Sequence, residues 1–75
     1  MSIRSYFLEE QFQLIYLQNQ IDIINYQEID SFDEEKIRIR YKEGVLVVAG
    51  HNLSISKLLD DEILIRGDIE KIEFR

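Results

Sequence analysis

The stretch Val45-Leu46-Val47-Val48-Ala49 constrains the fold of this chain more than any other. Side chains alternate between the two faces of a strand, so a run that is apolar at every position is apolar on both faces. A lone open sheet covers one of those faces at best. The run therefore predicts a sheet that curls into a barrel or sandwich, takes the N-terminal segment as a lid, or pairs with another chain.

The residues before it supply a partner strand. In Lys36-Ile37-Arg38-Ile39-Arg40-Tyr41-Lys42, Ile37, Ile39 and Tyr41 share one face, and Lys36, Arg38, Arg40 and Lys42 share the other. Glu43-Gly44 joins the two strands. The expected geometry is a type I turn with Gly44 in the left-handed region of a bulge.

Elsewhere the chain alternates in the same way. Phe12–Leu17 is rich in aromatic and β-branched residues, and Gln18-Asn19-Gln20 signals a turn. Ile21-Asp22-Ile23 resumes the alternation, Asn25-Tyr26-Gln27 connects, and Glu28–Phe32 is a short strand ended by the acidic turn Asp33-Glu34-Glu35. Gly50-His51-Asn52 reads as a second turn. Leu53 and Ile55 then face one way, Ser54 and Ser56 the other. Asp60-Asp61 is a turn, Glu62–Arg66 a strand ended by Gly67-Asp68, and Ile69–Phe74 a last strand with a bulge near Ile69. Gly44, Gly50 and Gly67 all fall at strand boundaries, where turns need them.

These segments predict an all-β domain over residues 12–75: a small antiparallel meander of six to eight short strands, curled into a barrel or sandwich. Residues 1–11 admit two readings, a short helix N-capped by Ser5 or a frayed terminus. Ile21-x-Ile23, Ile37-x-Ile39 and Leu53-x-Ile55 recur at intervals of about sixteen, with Ile69 on the next step. A regular meander explains that spacing, and a small β-solenoid is the alternative.

Seventy-five residues make one domain, and one this small gains from a staple or a partner. The chain has no cysteine and one histidine, so neither a disulfide nor a Cys- or His-rich metal site supplies the staple. Association with a second copy or another protein is one route to more buried area; very tight packing is the other. Cysteine-free composition fits a reducing compartment. No apolar run approaches the ~20 residues that span a bilayer, and no secretory signal is read.

Net charge is −6, unevenly distributed: −7 over residues 1–35, +4 over 36–42 and −3 over 43–75. An acidic chain is repelled by nucleic acid at long range, and Tyr41 lies on the face opposite the arginines, so no stacking platform accompanies them. The Lys36/Arg38/Arg40/Lys42 face is a candidate for an anion, a lipid headgroup or an acidic partner; cross-strand pairing with the chain's own acids is the plainer reading. Val45–Ala49 is the candidate packing or oligomer face.

No catalytic pattern emerges. His51 sits in an expected turn without a visible partner or cleft. Asp60-Asp61-Glu62 and Asp33-Glu34-Glu35 lack calcium-loop spacing, and Ser54 and Ser56 belong to no nucleophile motif. A small enzyme would need at least a pocket uniting His51 with Asp60 or Asp61. No pattern asks for a cofactor, and the expectation is a non-enzymatic protein.

Val45–Ala49 followed by Gly50-His51-Asn52-Leu53-Ser54-Ile55, together with Glu62–Phe74 and the upstream Ile21-Asp22-Ile23-Ile24-Asn25-Tyr26, resembles the YabP/YqfC family of sporulation proteins, its YqfC-like branch most closely. The resemblance covers about Phe12 to Phe74. Many members carry glycine soon after Asn-Tyr, where this chain has Gln27-Glu28. The resemblance implies a small protein of endospore-forming Firmicutes, acting peripherally on the mother-cell cytoplasmic side of the forespore envelope in coat or cortex maturation, beside membrane-protein partners. It brings no catalytic residues.

Overall fold

The computed structural model describes residues 11–75, and the expected Ser5-capped helix lies outside the described residues. Six strands form one antiparallel sheet: β1 (Gln13–Leu17), β2 (Gln20–Ile24), β3 (Glu28–Phe32), β4 (Lys36–Tyr41), β5 (Gly44–Leu58) and β6 (Glu62–Phe74). The spatial order is β1-β2-β6-β5-β4-β3. Every neighbouring pair is antiparallel, which excludes the solenoid, whose stacked coils run parallel.

The long β5–β6 hairpin carries the architecture. Its turn half, Ser54–Leu58 with Glu62–Arg66, continues into β2 and β1. Its open half, Gly44–Ala49 with Lys71–Phe74, continues into β4 and β3. Three irregularities in its register, at Ala49/Gly50, His51/Ser54 and Ile55/Lys57, bend the ribbon between those halves. The sheet thereby folds over as an unclosed sandwich, with the inner faces of β2 and β4 in one core. Ile21, Ile23, Ile37, Ile39, Leu46, Val48, Leu53, Ile63 and Ile65 fill that core.

The sixteen-residue recurrence marks inward positions. Ile21, Ile23, Ile37, Ile39 and Leu53 are buried, and Ile55 and Ile69 pack half-buried against them. The open end is closed by aromatic rings. Phe12 stacks on Tyr41 at a centroid distance of 4.4 Å, and both meet Phe74 edge-on at 6.5 and 6.1 Å.

Three expectations about turns change. Gly50-His51-Asn52 does not reverse the chain; it is the bend within β5. Gly67-Asp68 likewise lies inside β6, which runs on to Phe74 with Glu70 as the extra residue of a bulge. The described residues thus hold six strands, within the expected six to eight. Gly44 is the third: it stands opposite Tyr41 as the first residue of β5, with φ of 158°, outside the left-handed helical region. Its missing side chain serves the close approach of the Arg75 carbonyl, which accepts from Val45 N–H at 2.8 Å.

Among the described residues, those with positive φ that are not glycine are all asparagines: Asn19, Asn25 and Asn52, at 60°, 64° and 54°. Asparagine tolerates that region better than other side chains. Asn25 turns the chain out of β2, its N–H bonding Asp61 O at 2.6 Å, and by Gln27 the backbone is bonded to Arg40 O at 2.8 Å. Three residues therefore carry the chain from one layer to the other.

Candidate functional site

Lys36, Arg38 and Arg40 stand on the outer face of β4, as alternation requires, whereas Lys42 lies beyond the strand in its turn to β5. Arg40 is occupied: its guanidinium meets Asp30 at 3.1 Å and Glu28 at 3.4 Å, both on β3. The hydrogen bond it donates to Asp30, then the charges of Asp30 and Glu28, push its pKa further up. Lys36 and Arg38 make no ion pair among the described residues.

The register extends this face over β5 and β6. Lys36, Ala49 and Lys71 form one row, and Arg38, Val47 and Glu73 the next. Glu73 is clamped by Arg75 and Lys71, and their hydrogen bonds hold its carboxyl below the usual range. The face is thus a lattice of mixed charges around an apolar spine. Beside it, Gln27, Arg40, Tyr41, Lys42, Glu43, Gly44 and Val45 line an open groove of about 440 Å³.

The apolar run divides as its alternation demands. Leu46 and Val48 are core residues at 0% exposure. Val47 faces outward between Arg38 and Glu73, yet is only 4% exposed. Val45 and Ala49 are half-buried.

His51 projects from the β5 bend. Its Nε2 lies 3.3 Å from Glu70 and its Nδ1 4.0 Å from Glu35. Asp60 and Asp61 occupy the β5–β6 turn, where they and burial raise the pKa of Tyr26, burial most. The structure does not bring His51 together with either aspartate. Among the described residues no three His, Cys, Asp or Glu side chains cluster as a metal site.

Asp22 is a polar group that sequence alternation did not single out. It lies on the outer face of β2, opposite Ile15 and Leu64. Its Oδ1 is shut off from solvent without a partner. Burial first, then a hydrogen bond and like charge shared with Glu62, hold its pKa above the ordinary carboxylate value, against the opposing charge of Lys57. A raised acid pKa means that the folded state binds the proton more tightly. This contribution is therefore fully present below the unfolded pKa and lost as pH rises through the folded one. Asp22→Asn should raise Tm at pH 7 and change it much less near pH 4, as read by circular dichroism melts at both.

The remaining signal is apolar exposure. Ile15, Tyr16 and Leu17 on β1 are 43, 53 and 57% exposed, and Phe32, Leu58, Leu59 and Phe74 are open as well. The sequence marked Phe12–Leu17 as a strand but not as an edge, because edge position follows from the pairing of β2 with the distant β6.

A small all-β protein built on one bent hairpin is the class these features define. The sequence model of the YabP family matches residues 10–75, and the chain belongs to that family. It is similar to the uncharacterized protein YqfC of Bacillus subtilis (strain 168), with 32% identity over 54 residues. That alignment spans 72% of this chain and 58% of YqfC. Among the described residues no helix is long and apolar enough to cross a membrane.

Proposed function

We propose that this chain is a non-enzymatic sporulation protein that works by protein–protein contact at the developing spore envelope, in coat or cortex maturation. The observation that carries the reading is the exposure of Ile15, Tyr16 and Leu17 on a free sheet edge. Edges of this kind recruit further strands, and a small domain gains most from doing so. Membership of the YabP family supports the sporulation setting. A fluorescent fusion followed through sporulation tests it. Enrichment around the forespore is the expected result, with fewer heat-resistant spores when the gene is deleted; a diffuse signal and normal spores would overturn the proposal.

The alternative, a peripheral binder of anionic lipid or polymer through Lys36, Arg38, Arg40 and Lys42, draws on the unpaired state of Lys36 and Arg38. It is weakened by the engagement of Arg40 with Asp30 and Glu28. The expected result is no more co-sedimentation with phosphatidylglycerol vesicles than with phosphatidylcholine vesicles at physiological salt. Salt-sensitive binding lost on replacing Arg38 and Arg40 by Gln would reverse that ranking.

A further inference from the structure

The folded sheet leaves four free edges among the described residues: β1, β3, the Ser54–Leu58 part of β5 and the Ile69–Phe74 part of β6. Proteins guard such edges with charges and bulges. β3 carries Glu28 and Asp30 and a register shift between Ile29 and Ser31. The β5 edge carries Lys57 and the shift at Ile55/Lys57, and the β6 edge carries Glu70, Lys71 and Glu73 with the extra Glu70. β1 has neither device. It pairs with β2 over five residues without a break, and residues 11–21 contain no charge at all.

We propose that β1 is the dimerisation strand, pairing antiparallel with β1 of a second copy across a two-fold axis near Ile15. This rests on the assembly reading above and names its surface. Charge says which edge a second copy would use. Two chains of net charge −6 repel each other, and β1 is the edge at which they meet without bringing charges into contact.

Geometry adds self-complementarity. Directly opposed residues of an antiparallel pair share a face. Ile15 and Leu17 are on the outer face with Asp22, and Leu14 and Tyr16 on the inner face with Ile23 and Ile21. A two-fold at Ile15 sets Ile15 against itself, Leu14 against Tyr16 of the second copy, and Gln13 against Leu17. Every pair then keeps its face, and the three exposed apolar residues become buried together.

Sedimentation velocity across concentration tests the contact. The wild-type chain should sediment at twice the monomer mass, and added salt should tighten the dimer by screening repulsion. Ile15→Lys should raise the dissociation constant on the order of 100-fold, because it removes two apolar contacts and sets like charges face to face. Its circular dichroism spectrum should stay that of the wild type, and so should its Tm at concentrations where both chains are monomeric, since Ile15 is outside the core. The chain has no cysteine, so Ile15→Cys provides a single thiol, which should form a disulfide dimer on mild oxidation while Leu58→Cys does not. A wild-type dimer that persists in Ile15→Lys overturns the proposal. So does a chain that stays monomeric at millimolar concentration, and that result would leave the assembly reading to its own localisation experiment.

Discussion

Gly50→Ala should destabilise the fold by about 3 kcal/mol or more. Gly50 is buried at the bend of β5, and its N–H donates to Glu35 O at 3.0 Å. A Cβ built there would fall on the carbonyl oxygen of Asp68, inside the 3.0 Å that real Cβ contacts do not breach. The obstacle is backbone of β6, so no rotamer change relieves it. The two strands must part at the point where the sheet folds over. Overpacking a tight interior costs about 1–3 kcal/mol even where side chains can yield, and here the expected cost is at or above the top of that range. A 75-residue domain has roughly 4–11 kcal/mol of stability in total. Urea denaturation followed by circular dichroism measures the loss. A midpoint within error of the wild type would mean that the bend tolerates a side chain and that the hairpin is not held by this contact.

How far the bend could be read from the sequence shows what local pattern can and cannot specify. Glycine beside asparagine at 50–52 correctly marks a place where the chain departs from regular strand. The pattern is the same for a reversal and for a bulged bend, because both need a compact residue and a tolerated positive φ. Which one forms is decided by whether the next segment finds its partner behind or ahead. Here Leu53–Leu58 continues along β6, a choice made by residues 62–66 and invisible at 50–52. Inward positions were legible for a better reason. Ile21, Ile23, Ile37 and Ile39 reach 0% exposure, and period-two alternation is a property of each strand by itself.

The candidate surfaces divide along the same line. That Lys36, Arg38 and Arg40 share a face follows from spacing alone. That Arg40 is engaged by Glu28 and Asp30 follows from the pairing of β3 with β4, and the register shift at Ile29/Ser31 was not encoded in any visible motif. Edge status is the least local property of all. Phe12–Leu17 has the composition of a central strand, yet β1 lies at the sheet margin because β2 gives its other side to β6. An uncharged run in an acidic chain was the available signal.

Leu46→Ala and Val47→Thr separate the two faces of the apolar strand. Leu46 is 0% exposed and packs in the core cluster with Ile37, Ile39 and Ile63. Its truncation removes three carbons from a site flanked by β-branched neighbours whose χ1 angles are stiff, so the cavity collapses poorly. The expected loss is about 2–5 kcal/mol, which for a domain of this size shifts Tm by on the order of 10–25 °C. Val47 tells a different story. It is 4% exposed but outside the core cluster, on the outer face between Arg38 and Glu73. Threonine keeps its shape and β-branching and places a hydroxyl among charged neighbours able to hydrogen-bond it. Val47→Thr should therefore cost about 1 kcal/mol or less, far below the several kcal/mol of an unsatisfied buried hydroxyl. Thermal melts of both variants give the comparison. Equal, large losses would show that the outer face of β5 is as dry and closely packed as the core. The expected inequality would show that one face of Val45–Ala49 is stabilised by packing and the other is covered by long polar side chains, which leaves the β1 edge as the apolar surface with most to gain from a second chain.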